Sequence, residues 1–404
     1  MAVPEDYSIE ERRALLPWVV APIPVPPSPM DPGLIEGEDA GTRRRVGDCV
    51  RGMLLGLAIG DALGNTSEGM TPEERREAVG ALHGDARGDI RDYLPNRRED
   101  MRAVGLPSDD TQLAFWTLES LLRCGRLDPV ALADNFTRRH RIYGIGATVT
   151  AFLMAYRREG RPWHQAGQPS AGNGALMRIA PVVLPHLRGM SWHLWEDVIA
   201  ATILTHRDEA AVAAGVGFVG LLAECLTLAA AGPVWNGVPA RWWPETFLRY
   251  ARTVETSKAY DCGGADTRFH GSLSARVEQT VLPAIAVGTT VAEAAERWYS
   301  GAYLLETVPC MLHILALHGD DPEEAIVRAV NDTYDNDTIA AIVGAAVGAA
   351  HGVEALPRRW REGLLGRTRE EDEGWVQELA ERAVWAYVDG GKRRSSGVDG
   401  TSGG

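Results

Sequence analysis

The sequence predicts an all-α protein, and three observations carry that prediction. Most of the 404 residues read as helix followed by helix, with Ala, Leu, Arg and Glu abundant and few alternating, strand-like runs. Glycine recurs at every fourth position in two distant apolar tracts, Gly52, Gly56, Gly60 and Gly64, and Gly344, Gly348 and Gly352. Each such glycine costs a helix roughly 1 kcal/mol relative to alanine, so a run of them needs a packing reason, and residues four apart share one face. Finally, short Ser/Asp/Thr clusters stand directly before helical runs, as helix starts do. The length allows two or three average domains, but uninterrupted helical patterning favours one large helical domain.

Taken in order, residues 1 to 45 differ in composition from the rest. Leu15, Leu16, Trp18, Val19 and Val20 precede Ala21-Pro-Ile-Pro-Val-Pro-Pro-Ser-Pro, which cannot be helical and reads as an extended, polyproline-like arm. Two roles fit it: a disordered leader, or an arm packed on the domain or on a partner. Residues 46 to 389 form the predicted domain, opening with the first glycine ridge from Thr42. Pro107-Ser-Asp-Asp-Thr opens a helix over Gln112 to Arg123, with Ser108 or Asp109 as its cap. Tyr143-Gly-Ile-Gly-Ala-Thr and Ser170-Ala-Gly-Asn-Gly are glycine-rich loops ahead of helical runs, whose free N–H groups suit phosphate. Ala210 to Ala231 is the most apolar stretch; it contains Glu224 and reads as a buried core helix rather than a membrane span. Between Pro239 and Pro283 the pattern loosens, with Asp261-Cys-Gly-Gly-Ala-Asp as a surface loop. Helix returns near Ala292 and runs to Tyr387, leaving 390–404 as a disordered tail rich in Gly and Ser.

Composition narrows the chemistry. A formal charge of −14 and no basic stripe argue against nucleic acid as a partner, so an anionic substrate needs bound cations to receive it. Five widely spaced cysteines without a C-x-x-C pair suit a reduced, cytoplasmic protein, and no basic-then-apolar leader is present.

The second ridge is entered through Val330-Asn-Asp-Thr-Tyr-Asp-Asn-Asp-Thr, which packs Asp332, Asp335, Asp337 and Thr338 into a loop that Asp335 or Asn336 would cap. Ser108-Asp109-Asp110 is a similar cluster. Adjacent carboxylates repel, a cost most simply removed by a divalent cation, and oxygen donors of this kind suit magnesium or manganese. Facing each other, the two clusters would hold two ions as a two-metal hydrolytic site does. Other helical metal enzymes fit poorly: no His-Asp dipeptide occurs, and Leu113 stands where a third carboxylate would follow Asp109-Asp110.

Gly56-x-Ala58-x-Gly60-Asp-Ala-Leu-Gly64, Ser108-Asp-Asp-Thr111, Gly172-Asn-Gly-Ala-x-Met-Arg178, Thr205-His206 and Asp335-x-Asp-Thr338 resemble, in order and spacing, the ADP-ribosylglycohydrolase family over about residues 45 to 390. The resemblance implies a compact orthogonal multi-helix bundle with two magnesium or manganese ions that removes ADP-ribose from a modified side chain or small acceptor. It implies Ser108, Asp109, Asp110, Asp335, Asp337 and Thr338 as metal ligands, and Glu68 as a general acid/base or gating residue, with Asp109 and Asp110 as further carboxylates for the positive charge that builds at the anomeric carbon. It places Asp61 behind the ligands. Ser170, Gly172, Asn173 and Gly174 match the loop for diphosphate and ribose, His206 a histidine near the same ligand, Gly144 and Gly146 a further substrate loop, and Tyr303 an adenosine contact. Where many members have two glycines before the last motif, this chain has Thr333-Tyr334, which leaves the acceptor open.

Two readings follow. One is a hydrolase acting on an ADP-ribosylated protein or an ADP-ribose-containing small molecule, with arginine as favoured acceptor. The other is an immunity or regulatory protein that blocks an ADP-ribosyltransferase through its proline-rich arm.

Overall fold

The two glycine ridges lie against each other. In the computed structural model, which describes residues 8–19, 21–30, 40–96, 103–138, 140–232, 235, 237–264 and 267–391, the helices Ala40–Gly64 and Asn336–His351 make the most extensive element pairing among the described residues. A Cβ at Gly56 would sit 2.1 Å from the Gly344 carbonyl oxygen, and one at Gly344 would sit 2.1 Å from that of Gly56. Gly52 and Gly348 repeat the arrangement at 2.3 and 2.0 Å. The backbones are therefore in direct contact, and this contact brings the starts of distant segments to one place.

Around the pair the chain is helical almost throughout, as expected. The helix Glu209–Ala231 is long and apolar enough to cross a membrane, yet 83% of its most apolar window is buried inside the protein, where it packs on both ridge helices. Gly217 and Gly220 leave room for the rings of Phe247 and Tyr250. The helix expected from Gln112 begins earlier, at Asp109, and runs to Cys124.

One expectation is overturned. Asp261-Cys-Gly-Gly is not surface loop but the first strand, Tyr260–Gly264, of an antiparallel hairpin with Thr267–Gly271. Tyr260, Cys262 and Phe269 alternate inward and are buried, while Asp261 and His270 face out and bond to each other at 2.9 Å. Glycine and aspartate are poor strand formers, so only the period-two burial identifies the strand.

The arm over residues 21–30 lies extended on the domain. Ile23, Pro26 and Pro29 are buried and their neighbours largely exposed, a period of three that matches a polyproline helix. Its carbonyls are taken up: Trp195 Nε1 donates to Pro24 O at 3.1 Å and Thr227 Oγ1 to Pro27 O at 2.9 Å. Residues 392–404, expected as a tail, lie outside the described residues.

Candidate active site

The site starts from Asp61, buried in the first ridge helix. Its carboxylate accepts the Ser108 N–H at 2.8 Å, the Thr111 N–H at 3.0 Å and the hydroxyls of both residues. Neither Ser108 nor Asp109 caps its own helix by side chain as expected; Asp61 caps it from a neighbouring helix. Asp335 makes no side-chain cap either, because its carboxylate accepts from Asn173 Nδ2 instead. With the helix start pinned from behind, Asp109 and Asp110 point forward.

They point into a cleft of about 200 Å³ whose walls also carry Glu68, Asp335, Asp337 and Thr338. Gly64 permits this meeting: a Cβ there would lie 2.4 Å from the Asp337 Cα. Burial first, and neighbouring carboxylates second, push the Asp109, Asp110 and Asp337 carboxyls well above their ordinary range. Glu68 is exposed at the mouth, and its charge is one of those acting on Asp109 and Asp337. One Asp110 oxygen, Oδ1, is buried without a hydrogen-bond partner.

The opposite wall is glycine-rich. Gly144, Gly146, Gly172, Asn173 and Gly174 line it with His206. Gly144 has φ +80°, and a Cβ there would lie 2.9 Å from Asp109 Oδ1, so this loop must be bare to pass the carboxylate. The helix Ala147–Arg157 starts here, and no side chain caps the N–H groups of its first turn. His206 Nδ1 is 2.9 Å from Thr205 Oγ1, and its ring lies where a Gly174 side chain would go. Burial, helped by the nearby Arg178 charge, pushes its pKa down to about 3, so the imidazole is neutral at pH 7. No lysine or arginine lines the cleft among the described residues.

Of the residues expected at the site, Glu68, Asp109, Asp110, Gly144, Gly146, Gly172, Asn173, Gly174, His206, Asp335, Asp337 and Thr338 share the cleft. Ser108 lies behind it, bonded to Asp61. Ser170 backs the glycine loop, within 3.1 Å of Thr148 Oγ1 and accepting from the Gly172 N–H. Tyr303 meets the same loop through its backbone, bridged to Gly172. Asp332 turns away to pair with Arg328 at 3.0 Å.

Two positioning residues, Arg75 and Gln112, escaped sequence reasoning, and a third, Asn336, is expected from the sequence only as a helix cap. Arg75 is buried and donates to Ser67 Oγ, Met70 O, Asn331 O and Thr333 O, tying the Glu68 segment to the Asp335 loop. Gln112 holds the Tyr143 loop through the Tyr143 N–H and Arg141 O. Asn336 spans to Gly64 O and Ser67 Oγ. A polar residue inside a helical pattern is the only sequence signal that Arg75 and Gln112 give.

The donor set fits divalent cations. The cleft offers four buried or half-buried carboxylates and a hydroxyl, crowded enough to raise one another's pKa, with one oxygen left unbonded. Among the described residues no group of three or more His, Cys, Asp or Glu side chains is already arranged to hold a metal ion.

The sequence profile of the ADP-ribosylglycohydrolase family matches residues 42–393. The chain is 28% identical to the ADP-ribosylarginine hydrolase Tri1 of Pseudomonas putida (strain GB-1), over 78% of this chain and 74% of that protein. It is 27% identical to the ADP-ribosyl-[dinitrogen reductase] glycohydrolase of Rhodospirillum rubrum, over 78% of this chain and 90% of that one. A solved structure described as an ADP-ribosylglycohydrolase-related protein complex superposes with a TM-score of 0.57 at 28% identity, covering 85% of this chain and 98% of the other.

Proposed function

The chain belongs to the ADP-ribosylglycohydrolase family, whose members hydrolyse ADP-ribosyl linkages, and from that premise we propose that this enzyme releases ADP-ribose from arginine side chains of proteins with the help of two magnesium or manganese ions. The observation that carries the reading is the meeting, in one cleft, of Asp109–Asp110 with Asp335–Asp337 opposite a glycine wall. Asp109, Asp110, Asp335, Asp337 and the Thr338 hydroxyl would hold the ions, which when bound supply positive charge to polarise ribose hydroxyls and water.

The chain's own groups do the rest. The glycine wall offers the backbone N–H of Gly174 and those at the uncapped start of Ala147–Arg157, which suit a diphosphate where no basic side chain is near. Asn173 is held by Asp335 and by Thr307 at 3.1 Å, so it presents a fixed face to the ribose. His206, being neutral, binds by hydrogen bonding alone. Water adds to C1″ as the bond to the guanidino nitrogen breaks, and Glu68 at the mouth takes the water's proton and passes it to the leaving guanidine. The carboxylates facing C1″ stabilise the oxocarbenium-like charge.

The test is to incubate the full chain, with and without magnesium, with arginine-, serine- and nucleobase-linked ADP-ribose. Release from the arginine linkage, dependent on the metal, is expected. Release from another linkage alone would reassign the acceptor, and an Asp337→Ala variant with normal turnover and metal content would overturn the site.

A further inference from the structure

Asp335 lines the cleft, and its chain neighbour Tyr334 lines a separate groove. That groove, of about 510 Å³, is lined by Pro72, Glu73, Ala295, Glu296, Tyr299 and Tyr334, among others. Tyr334 is the residue that departs from the family's pair of glycines, and its ring lies against Tyr299 with centroids 5.3 Å apart and planes inclined by 31°. Tyr299 has φ +56°, the one positive φ at a non-glycine among the described residues. A bulky side chain held there, half exposed, is costly and calls for a reason.

Ser300 fixes this pair to the chemistry. Its hydroxyl accepts the Tyr334 N–H at 2.8 Å and its carbonyl accepts the Asp335 N–H at 2.8 Å. Whatever lies on the tyrosines is thus registered against an acid of the cleft. The groove is also acidic: it carries Glu73, Glu293, Glu296 and Asp332 against the single cation Arg76. Glu293 is engaged with Thr290 and Asp332 with Arg328, but the carboxylates of Glu73 and Glu296 have no hydrogen-bond or ion-pair partner among the described residues.

Resting on the reading of the enzyme as a hydrolase of protein-linked ADP-ribose, we propose that this groove receives the substrate's polypeptide beside the modified residue, and that Tyr299 and Tyr334 with Glu73 and Glu296 select a neighbouring lysine or arginine. A tyrosine ring offers a cation its negative face, and two free carboxylates complete the recognition. The occupant is a basic peptide because the groove is lined by four carboxylates against one cation, and Ser300 ties its Tyr334 to Asp335 of the cleft.

The experiment measures two things on the full chain. Fluorescence anisotropy follows binding of unmodified fluorescein-labelled peptides that carry either Lys/Arg or Glu beside the acceptor arginine. Turnover is followed on free ADP-ribosylarginine and on the same peptides ADP-ribosylated. The wild type is expected to favour the basic peptide by roughly tenfold. Tyr334→Ala and the double variant Glu73→Gln/Glu296→Gln are expected to lose most of that preference, through KM, while Tyr334→Phe keeps it and free ADP-ribosylarginine turns over as before. Equal binding of both peptides by the wild type overturns the proposal. So does an equal fall on free and peptide substrates, or a dimer that Tyr334→Ala dissociates. A wild type that ignores ADP-ribosylarginine yet keeps the peptide preference overturns the acceptor and leaves the groove standing.

Discussion

The Asp61 carboxylate takes both the backbone N–H and the hydroxyl of Ser108, so an acid that never reaches the cleft sets the direction of the two that do. It also takes both donors of Thr111 and one from Asn65, which leaves it as the shared acceptor for a buried helix start.

Replacing Asp61 with Ala strands the Ser108 and Thr111 N–H groups in a dry interior. At about 1–3 kcal/mol for each unsatisfied buried donor, the loss of stability is expected to be about 4 kcal/mol. Asp61→Asn keeps one acceptor oxygen and should lose about half as much. Urea denaturation checks this: the midpoint should fall with the slope unchanged, whereas a midpoint within error of the wild type would show the clamp to be idle.

The ridges make the opposite prediction to helix propensity. Gly56→Ala or Gly344→Ala gains about 1 kcal/mol of intrinsic helix preference but drives a methyl group into a carbonyl that cannot rotate away. A net loss above about 3 kcal/mol is expected, read as a lower Tm or as failure to fold. Gly64→Ala presses on Asp337 and should cost more in turnover than in stability. If either ridge substitution raises Tm, the backbones are not in contact.

How much of this was legible follows from range. The ridges and acidic tips were readable because spacing four and clustered carboxylates are local patterns with few physical explanations. The hairpin was not, since Asp261-Cys-Gly-Gly has turn composition and becomes strand only by pairing with Thr267–Gly271. Nor was the cap: Ser108 has the right chemistry to close its own helix, and only the approach of Asp61 decides that its hydroxyl goes elsewhere. Arg75 is the same case, an apparently ordinary charge in Pro-Glu-Glu-Arg that tertiary packing buries under four acceptors.

His206 gives the enzyme an acid-sensitive term. Its pKa falls from an ordinary 6.5 to about 3 on folding, because burial excludes the charged form. Above pH 6.5 both states are neutral and its contribution is fully present. As pH falls through 6.5 the unfolded chain takes up a proton that the folded one refuses, and stability is lost down to about pH 3. Between pH 7.5 and 5 this amounts to about 2 kcal/mol. His206→Gln should therefore flatten the acid limb of stability against pH, and parallel curves for variant and wild type would contradict the assignment.

The arm can be separated from catalysis by deletion. Residues 21–30 bury Ile23, Pro26, Pro29 and Met30 and accept hydrogen bonds from Trp195 and Thr227, but none of them lines the cleft. Removing residues 1–30 uncovers apolar surface and frees those donors, so Tm should fall, by about 1–2 °C for each kcal/mol lost in a domain of this size. Well below the new Tm, kcat/KM on ADP-ribosylarginine should match the full chain. A fall in kcat there would mean that the arm also steadies the glycine wall, and the route is visible: Trp163 Nε1 donates to Glu11 at 2.7 Å, a few residues before the Gln168–His206 bridge. A Glu11→Gln variant then decides between the two, because it weakens that link and leaves the buried arm over residues 21–30 in place.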